Sequence, residues 1–153
     1  MGTDINAYAE RRLGGIWRAT GTRVFQCRNS TLFGLLSDNR VFGSDCDYRV
    51  TRPSPRGIPT DVSLEVQQIL LKKGFEPPHP VSQHRGCDWS HPSPGVFCAT
   101  WWTIDELLGI NYARPSTSGN GVTLGTALGP DFFLDINRLL AEHAERLIIW
   151  FDN

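Results

Sequence analysis

The chain closes on R-L-I-I-W-F-D-N, residues 146–153. This bulky apolar run, bounded by Arg146 and Asp152, is too short for a core helix and reads as a buried central strand. A central strand needs hydrogen-bonded neighbours, and the best candidate lies at the other end of the chain. Residues 3–10 alternate in part, with Ile5, Ala7 and Ala9 on one side and Asn6, Tyr8 and Glu10 on the other. Gly14-Gly15 supplies a turn and I-W-R-A-T follows as a second strand, which Val24 and Phe25 can extend. The expected sheet is small and mainly antiparallel, its N-terminal hairpin paired with the C-terminal strand.

About four helices are expected around it. Asn29 or Ser30 can cap a short one carrying Leu32, Phe33, Leu35 and Leu36. The best-marked helix starts at Ser63, has Glu65 in its first turn and Lys72 and Lys73 in its last, and can close at Gly74. Thr103-x-x-Glu106 is a capping box in front of Leu107 and Leu108. Pro130 can open a helix in which Phe132, Ile136, Leu139, Leu140 and His143 recur at helical spacing. Long loops are expected at residues 37–59, 75–100 and 114–126, the last with V-T-L as a short added strand. Strands first, helices in the middle and a final helix–strand unit define an α+β domain spanning residues 1–153, with helices packed on one face of the sheet.

Several function classes are disfavoured by composition. A formal charge of −1 speaks against a partner such as duplex nucleic acid, which demands phosphate neutralisation. No apolar run approaches the roughly 20 residues that span a bilayer. The start M-G-T-D-I-N-A-Y-A-E has neither the basic residues nor the apolar stretch of a secretory signal. The expected home is therefore a cytosol, where Cys27, Cys46, Cys87 and Cys98 would stay reduced. The set His79, His84, Cys87, His91 and Cys98 lacks the paired C-x2-C of structural zinc sites, so neither a metal nor another cofactor is expected. No G-x-S-x-G or P-loop is present.

What remains is a ligand site. The stretch from Arg28 to Val66 is dense in Asp, Asn and Arg between two apolar helical runs. Asp38, Asn39 and Arg40 follow the first short helix, where Arg offers a planar fork of donors to phosphate. Arg49, Arg52 and Arg56 lie close together in a Pro-punctuated loop. Asp4 and Asn6 should share a strand face. Trp89, His91 and Trp101 add aromatic and polar groups from the later loop, with one of Trp101 and Trp102 facing outward. Trp17 and Trp150 are expected in the core. Aromatic faces stack nucleobases at about 1–3 kcal/mol each.

Five stretches carry a further signal: the opening M-G-T-D-I-N-A-Y-A-E, R-N-S-T-L-F-G-L-L-S-D-N-R, R-G-I-P-T-D-V-S-L-E-V, the W-x-T-x-x-E-L-L of Trp101 to Leu108, and the closing R-L-I-I-W-F-D-N. In this order they resemble a family of uncharacterised proteins of tailed bacteriophages and prophages. The resemblance implies viral origin and the cytoplasm of an infected bacterial host. It brings no activity with it. The family pattern has His where Asn6 stands, and a compact H-S-x-S-W-x-T where this chain has the longer His91 to Thr103 passage. Asn hydrogen-bonds but does not titrate, which favours binding over catalysis. The expectation is a counter-defence protein that sequesters a small nucleotide-derived host immune signal, as a homo-oligomer. One alternative is a hydrolytic or nucleotide-modifying enzyme using Asp4, Asp38 or His91. Another is an inhibitor docking on a host defence protein through its Pro-rich loop.

Overall fold

The computed structural model describes residues 2–37, 56–78, 89–117 and 119–153. The elements run β1 (Asp4–Leu13), β2 (Ile16–Arg23), α1 (Ser30–Ser37), α2 (Leu64–Lys72), β3 (Val96–Thr103), α3 (Ile104–Leu108), α4 (Leu124–Leu128), α5 (Pro130–Ala141) and β4 (Arg146–Asp152). The four strands form one antiparallel sheet in the order β2-β1-β4-β3. This is the expected α+β fold, with the N-terminal hairpin paired to the closing strand. β4 lies between β1 and β3, which is why its run is apolar throughout.

Leu13 pairs with Ile16 across a two-residue turn in which Gly14 and Gly15 have φ of +59° and +80°. Two positive φ angles in succession match the twist of the flanking strands, and only glycine adopts them without strain. α2 ends as its sequence foretold. Gly74, at φ +87°, lets its own N–H donate to Leu71 O while Phe75 N–H donates to Leu70 O. That pair of bonds satisfies carbonyls that the helix end would otherwise leave open. The Ser63 hydroxyl accepts from Val66 N, Asn29 Oδ1 accepts from Leu32 N, and the Thr103–Glu106 capping box is complete.

Alternation along β4 divides the interior into two cores. Leu147, Ile149 and Phe151 join Ile5, Ala7 and Ala9 under α1, α3, α4 and α5. Ile148 and Trp150 face the other way, toward Ile58, Val62, Phe75, Trp89 and the Val66–Leu70 face of α2. Helices therefore pack on both faces of the sheet, not on one as the element order implied. A strand apolar on every residue can only be buried if both faces are covered.

Three further expectations need correction. The loop predicted over residues 75–100 ends early, because V-F-C-A-T-W-W-T forms β3. Its β-branched and aromatic residues fit a pleated surface, and the free edge of β4 supplies the ladder. Val24 and Phe25 leave the sheet. Phe25 sits at φ +58°, its ring stacks on Phe132 at 5.3 Å, and its N–H donates to Asp135 Oδ2 at 2.7 Å. The segment expected to be loop or strand near residue 122 continues into α4, capped by the Thr123 hydroxyl, with Leu124 and Leu128 in the core.

β3 carries an irregularity that decides which tryptophan is hidden. Phe97 pairs with Phe151 and Thr100 with Ile149, so three steps on β3 oppose two on β4, and Cys98 takes φ +50°. The extra residue reverses the parity of the strand. Trp102 consequently enters the first core and Trp101 the second face, where it is only partly buried.

Candidate functional site

Antiparallel pairing gives the sheet two ends, and each holds a cavity. At one end β1 and β3 finish while β2 and β4 begin. There a cleft of about 510 Å³ is lined by Arg12, Trp17, Trp101, Asp105, Glu145 and Arg146, with Leu108 and Leu140 at its apolar side. Its size lies within the usual range for small-ligand pockets.

The floor of this cleft is a buried ionic network. Glu10 is fully buried and its two carboxylate oxygens are both used: Oε1 accepts from Ser63 N at 2.6 Å and Oε2 from Arg146 Nε at 2.7 Å. Arg146 Nη1 donates to Asp61 Oδ1 at 2.9 Å and Nη2 to Asp61 O at 3.2 Å. Trp17 Nε1 completes the set by donating to Asp61 Oδ2 at 3.0 Å. Trp17 is therefore a partly exposed wall and not the core residue its strand position implied. Arg146 lies 3.7 Å and Arg12 4.5 Å from its ring centroid, and such cation–π contacts hold the indole in place. Arg12 makes no ion pair among the described residues; its backbone N–H donates to Glu145 Oε1.

Trp101 forms the opposite wall. Arg56 lies 4.3 Å from its ring centroid and makes a bidentate ion pair with Glu106. Arg56 was expected to meet an anion directly. Its guanidinium is instead committed to Glu106, so it supports Trp101 rather than offering open donors. That hydrogen bonding draws the Glu106 carboxyl below the ordinary range, reinforced by the Thr103 N–H, although burial opposes it. Asp61 is lowered too: burial works against ionisation, but Arg146 and the Trp17 indole outweigh it. A carboxylate held low in the folded state adds stability above its unfolded pKa and loses it as pH falls through the folded value. The contribution of these two carboxylates should be fully present above about pH 5 and be lost progressively below about pH 4, as urea titrations at stepped acid pH will register.

The other end of the sheet holds a smaller, polar cavity of about 300 Å³, lined by Asp4, Asn6, Arg23, Arg28, Lys73 and Asp152 among others. Asp4 and Asn6 do share a strand face and a cavity, as expected. They differ in exposure: Asp4 is exposed and ion-paired to Arg28 at 2.9 Å, whereas Asn6 is buried.

The remaining candidates separate. Asp38, Asn39, Arg40, Arg49 and Arg52 lie outside the described residues. Trp89 is only 7% exposed and packs in the second core beside Ile58 and Leu70, so its ring faces are not open to a ligand. His91 is a brace: Nδ1 accepts from Ser93 N at 3.0 Å, which leaves Nε2–H to donate to Lys73 O at 3.0 Å, and Phe75 packs edge-on at 4.8 Å. Both ring nitrogens are taken, tying β3's approach to the end of α2. Of the suspected zinc set, His79, His84 and Cys87 lie outside the described residues. Among those described, no group of three or more His, Cys, Asp or Glu could hold a metal ion, and no helix is long and apolar enough to cross a membrane.

Arg12, Trp17, Asp105, Glu145 and Arg146 were not singled out from the sequence. A signal did exist: E-R-R-L and E-R-L-I-I put charge at the adjoining ends of the paired strands β1 and β4, where sheet ends form clefts. Fold and cleft together define the class, a small α+β domain with an aromatic and charged cleft at one end of its sheet. No protein-family model, curated protein or solved structure matches the chain.

Proposed function

We propose that the protein binds a small nucleotide-like molecule in the cleft between Trp17 and Trp101. The observation that carries this reading is the composition of that cleft: a part-exposed indole braced by Arg56, an arginine (Arg12) with no acidic partner among the described residues, and two carboxylates. A base stacks on Trp101. The Asp105 carboxylate accepts from amino or hydroxyl groups of base or sugar, and Arg12 meets a phosphate. Each role matches the chemistry of its side chain.

The resemblance to tailed-phage proteins provides the setting. A captor of a host nucleotide signal needs tight binding and no turnover, and it gains sites by assembling as a closed homo-oligomer in the infected cell's cytoplasm. With both His91 nitrogens engaged and Asp4 paired to Arg28, a binding role is favoured over an enzyme built on those residues.

The test is retention. The protein is incubated with a panel of linear and cyclic nucleotides, stripped of free ligand, denatured, and the released material read by mass spectrometry. Recovery of an intact nucleotide is expected. Recovery of a chemically altered one would favour the enzyme, and recovery of none would reject the reading. Trp101→Ala should weaken retention by about 1–3 kcal/mol, or roughly 5- to 150-fold, with the far-UV circular dichroism unchanged.

A further inference from the structure

From the cavity at the start of β1 we infer a second, independent site, for a single phosphoryl group. It does not rest on the aromatic cleft. That cleft is centred near Arg12, six residues along β1 from Asn6, which is about 20 Å at strand rise. One mononucleotide does not reach both.

The argument begins with an orphaned donor. Asn6 is 3% exposed, lines the cavity, and its Nδ2 has no hydrogen-bond partner among the described residues. A buried amide left unpaired costs about 1–3 kcal/mol, so such a group calls for an acceptor. The cations around it point to the same kind of guest. Arg28 donates to Asp4 Oδ1 through Nε at 3.1 Å and Nη2 at 2.9 Å, and Lys73 Nζ stands 4.0 Å from Asp152 Oδ2. These two pairs account for both carboxylates of the cavity. Arg23 is left over: its guanidinium rests 5.9 Å from the Tyr8 ring centroid and makes no ion pair among the described residues. Burial pushes the Cys27 thiol up, so that residue adds no negative charge at neutral pH. Three cations against two anions leave one positive charge and a fork of donors in the same cavity as a buried amide.

The backbone builds this arrangement deliberately. Phe25 is held at positive φ by the Asp135 carboxylate, and the chain turns back so that Arg28 reaches Asp4. Gln26, Cys27 and Arg28 thereby line the same cavity as Asn6. A planar guanidinium fork with an amide donor in the same cavity suits a tetrahedral oxyanion, two of whose oxygens accept from Arg23 and a third from Asn6 Nδ2. The phosphoryl group can arrive as inorganic phosphate or as a phosphate monoester.

Phosphorus NMR titration of the full chain tests this, with inorganic phosphate in one arm and glycerol 3-phosphate in the other. Saturable line broadening in either arm is expected, and the tighter arm identifies the source. Arg23→Gln and Asn6→Leu should each weaken that binding at least tenfold, whereas Arg18→Gln, which removes an equal charge at the surface, should leave it unchanged. Asn6→Leu removes an unsatisfied group, so its melting temperature without phosphate should hold or rise, while the phosphate-induced rise seen in the parent disappears. No saturable binding in either arm, or equal binding by Arg23→Gln and the parent, overturns the site.

Discussion

Arg146→Met is expected to cost about 3–5 kcal/mol of folding stability, a large part of what a domain of this size possesses. The reason is what it leaves behind. Glu10 is wholly buried, and its Oε2 would lose the 2.7 Å bond that neutralises it. Asp61 would lose two bonds, and Trp17 the cation above its ring. Urea unfolding followed by far-UV circular dichroism measures the loss. Combining the change with Glu10→Leu should recover part of it, because an apolar pair needs no counter-charge. Recovery will be incomplete, since Ser63 N–H would lose the Glu10 oxygen it donates to at 2.6 Å. A loss below about 1 kcal/mol, the scale of an exposed ion pair, would mean that the network is far wetter than its geometry implies.

Trp150→Ala should be comparably damaging, at about 3–5 kcal/mol, for a different reason. Trp150 stands at the middle of the second core. It stacks on Tyr8 at 5.2 Å and meets Phe75 edge-on at 5.2 Å. Truncation empties the space between the sheet and α2, and β4 is held on both sides by β1 and β3, so it cannot collapse inward to fill it. Trp150→Phe should cost much less: among the described residues the indole Nε1 has no hydrogen-bond partner to lose. The same urea titrations decide the matter. Equal losses for Ala and Phe would place the cost in the indole nitrogen and contradict the packing account.

Local signals were legible wherever the physics is local. Ser63, Gly74, the Thr103–Glu106 box and Pro130 marked helix ends, because caps depend on residues within one turn of one another. Gly14-Gly15 marked the hairpin for the same reason. The composition of the closing strand revealed its central place. β3 was obscured by the Pro- and Ser-rich passage before it, and α4 by the small residues L-G-T-A-L, whose helix is held by the core contacts of Leu124 and Leu128.

The candidate site was legible only in fragments. Trp101, Asp4 and Asn6 line cavities, yet which of Trp101 and Trp102 faces outward turned on a single extra residue near Cys98. Trp17 looked like core and became a wall, because Asp61 and Arg146 arrive from distant parts of the chain to hold it.

By itself, then, the order of amino acids settled the α+β class, helices α1, α2, α3 and α5, and the pairing of the first strand with the last, but neither β3 nor α4. Periodicity and capping act over a few residues, and both can be read along a line. Tertiary structure alone decided that helices cover both faces, that Glu10 and Arg146 are buried together, and that Asn6 and Arg23 share a cavity, Asn6 Nδ2 having no hydrogen-bond partner among the described residues. Those outcomes depend on which distant side chains meet, and meeting is a property of the packed fold.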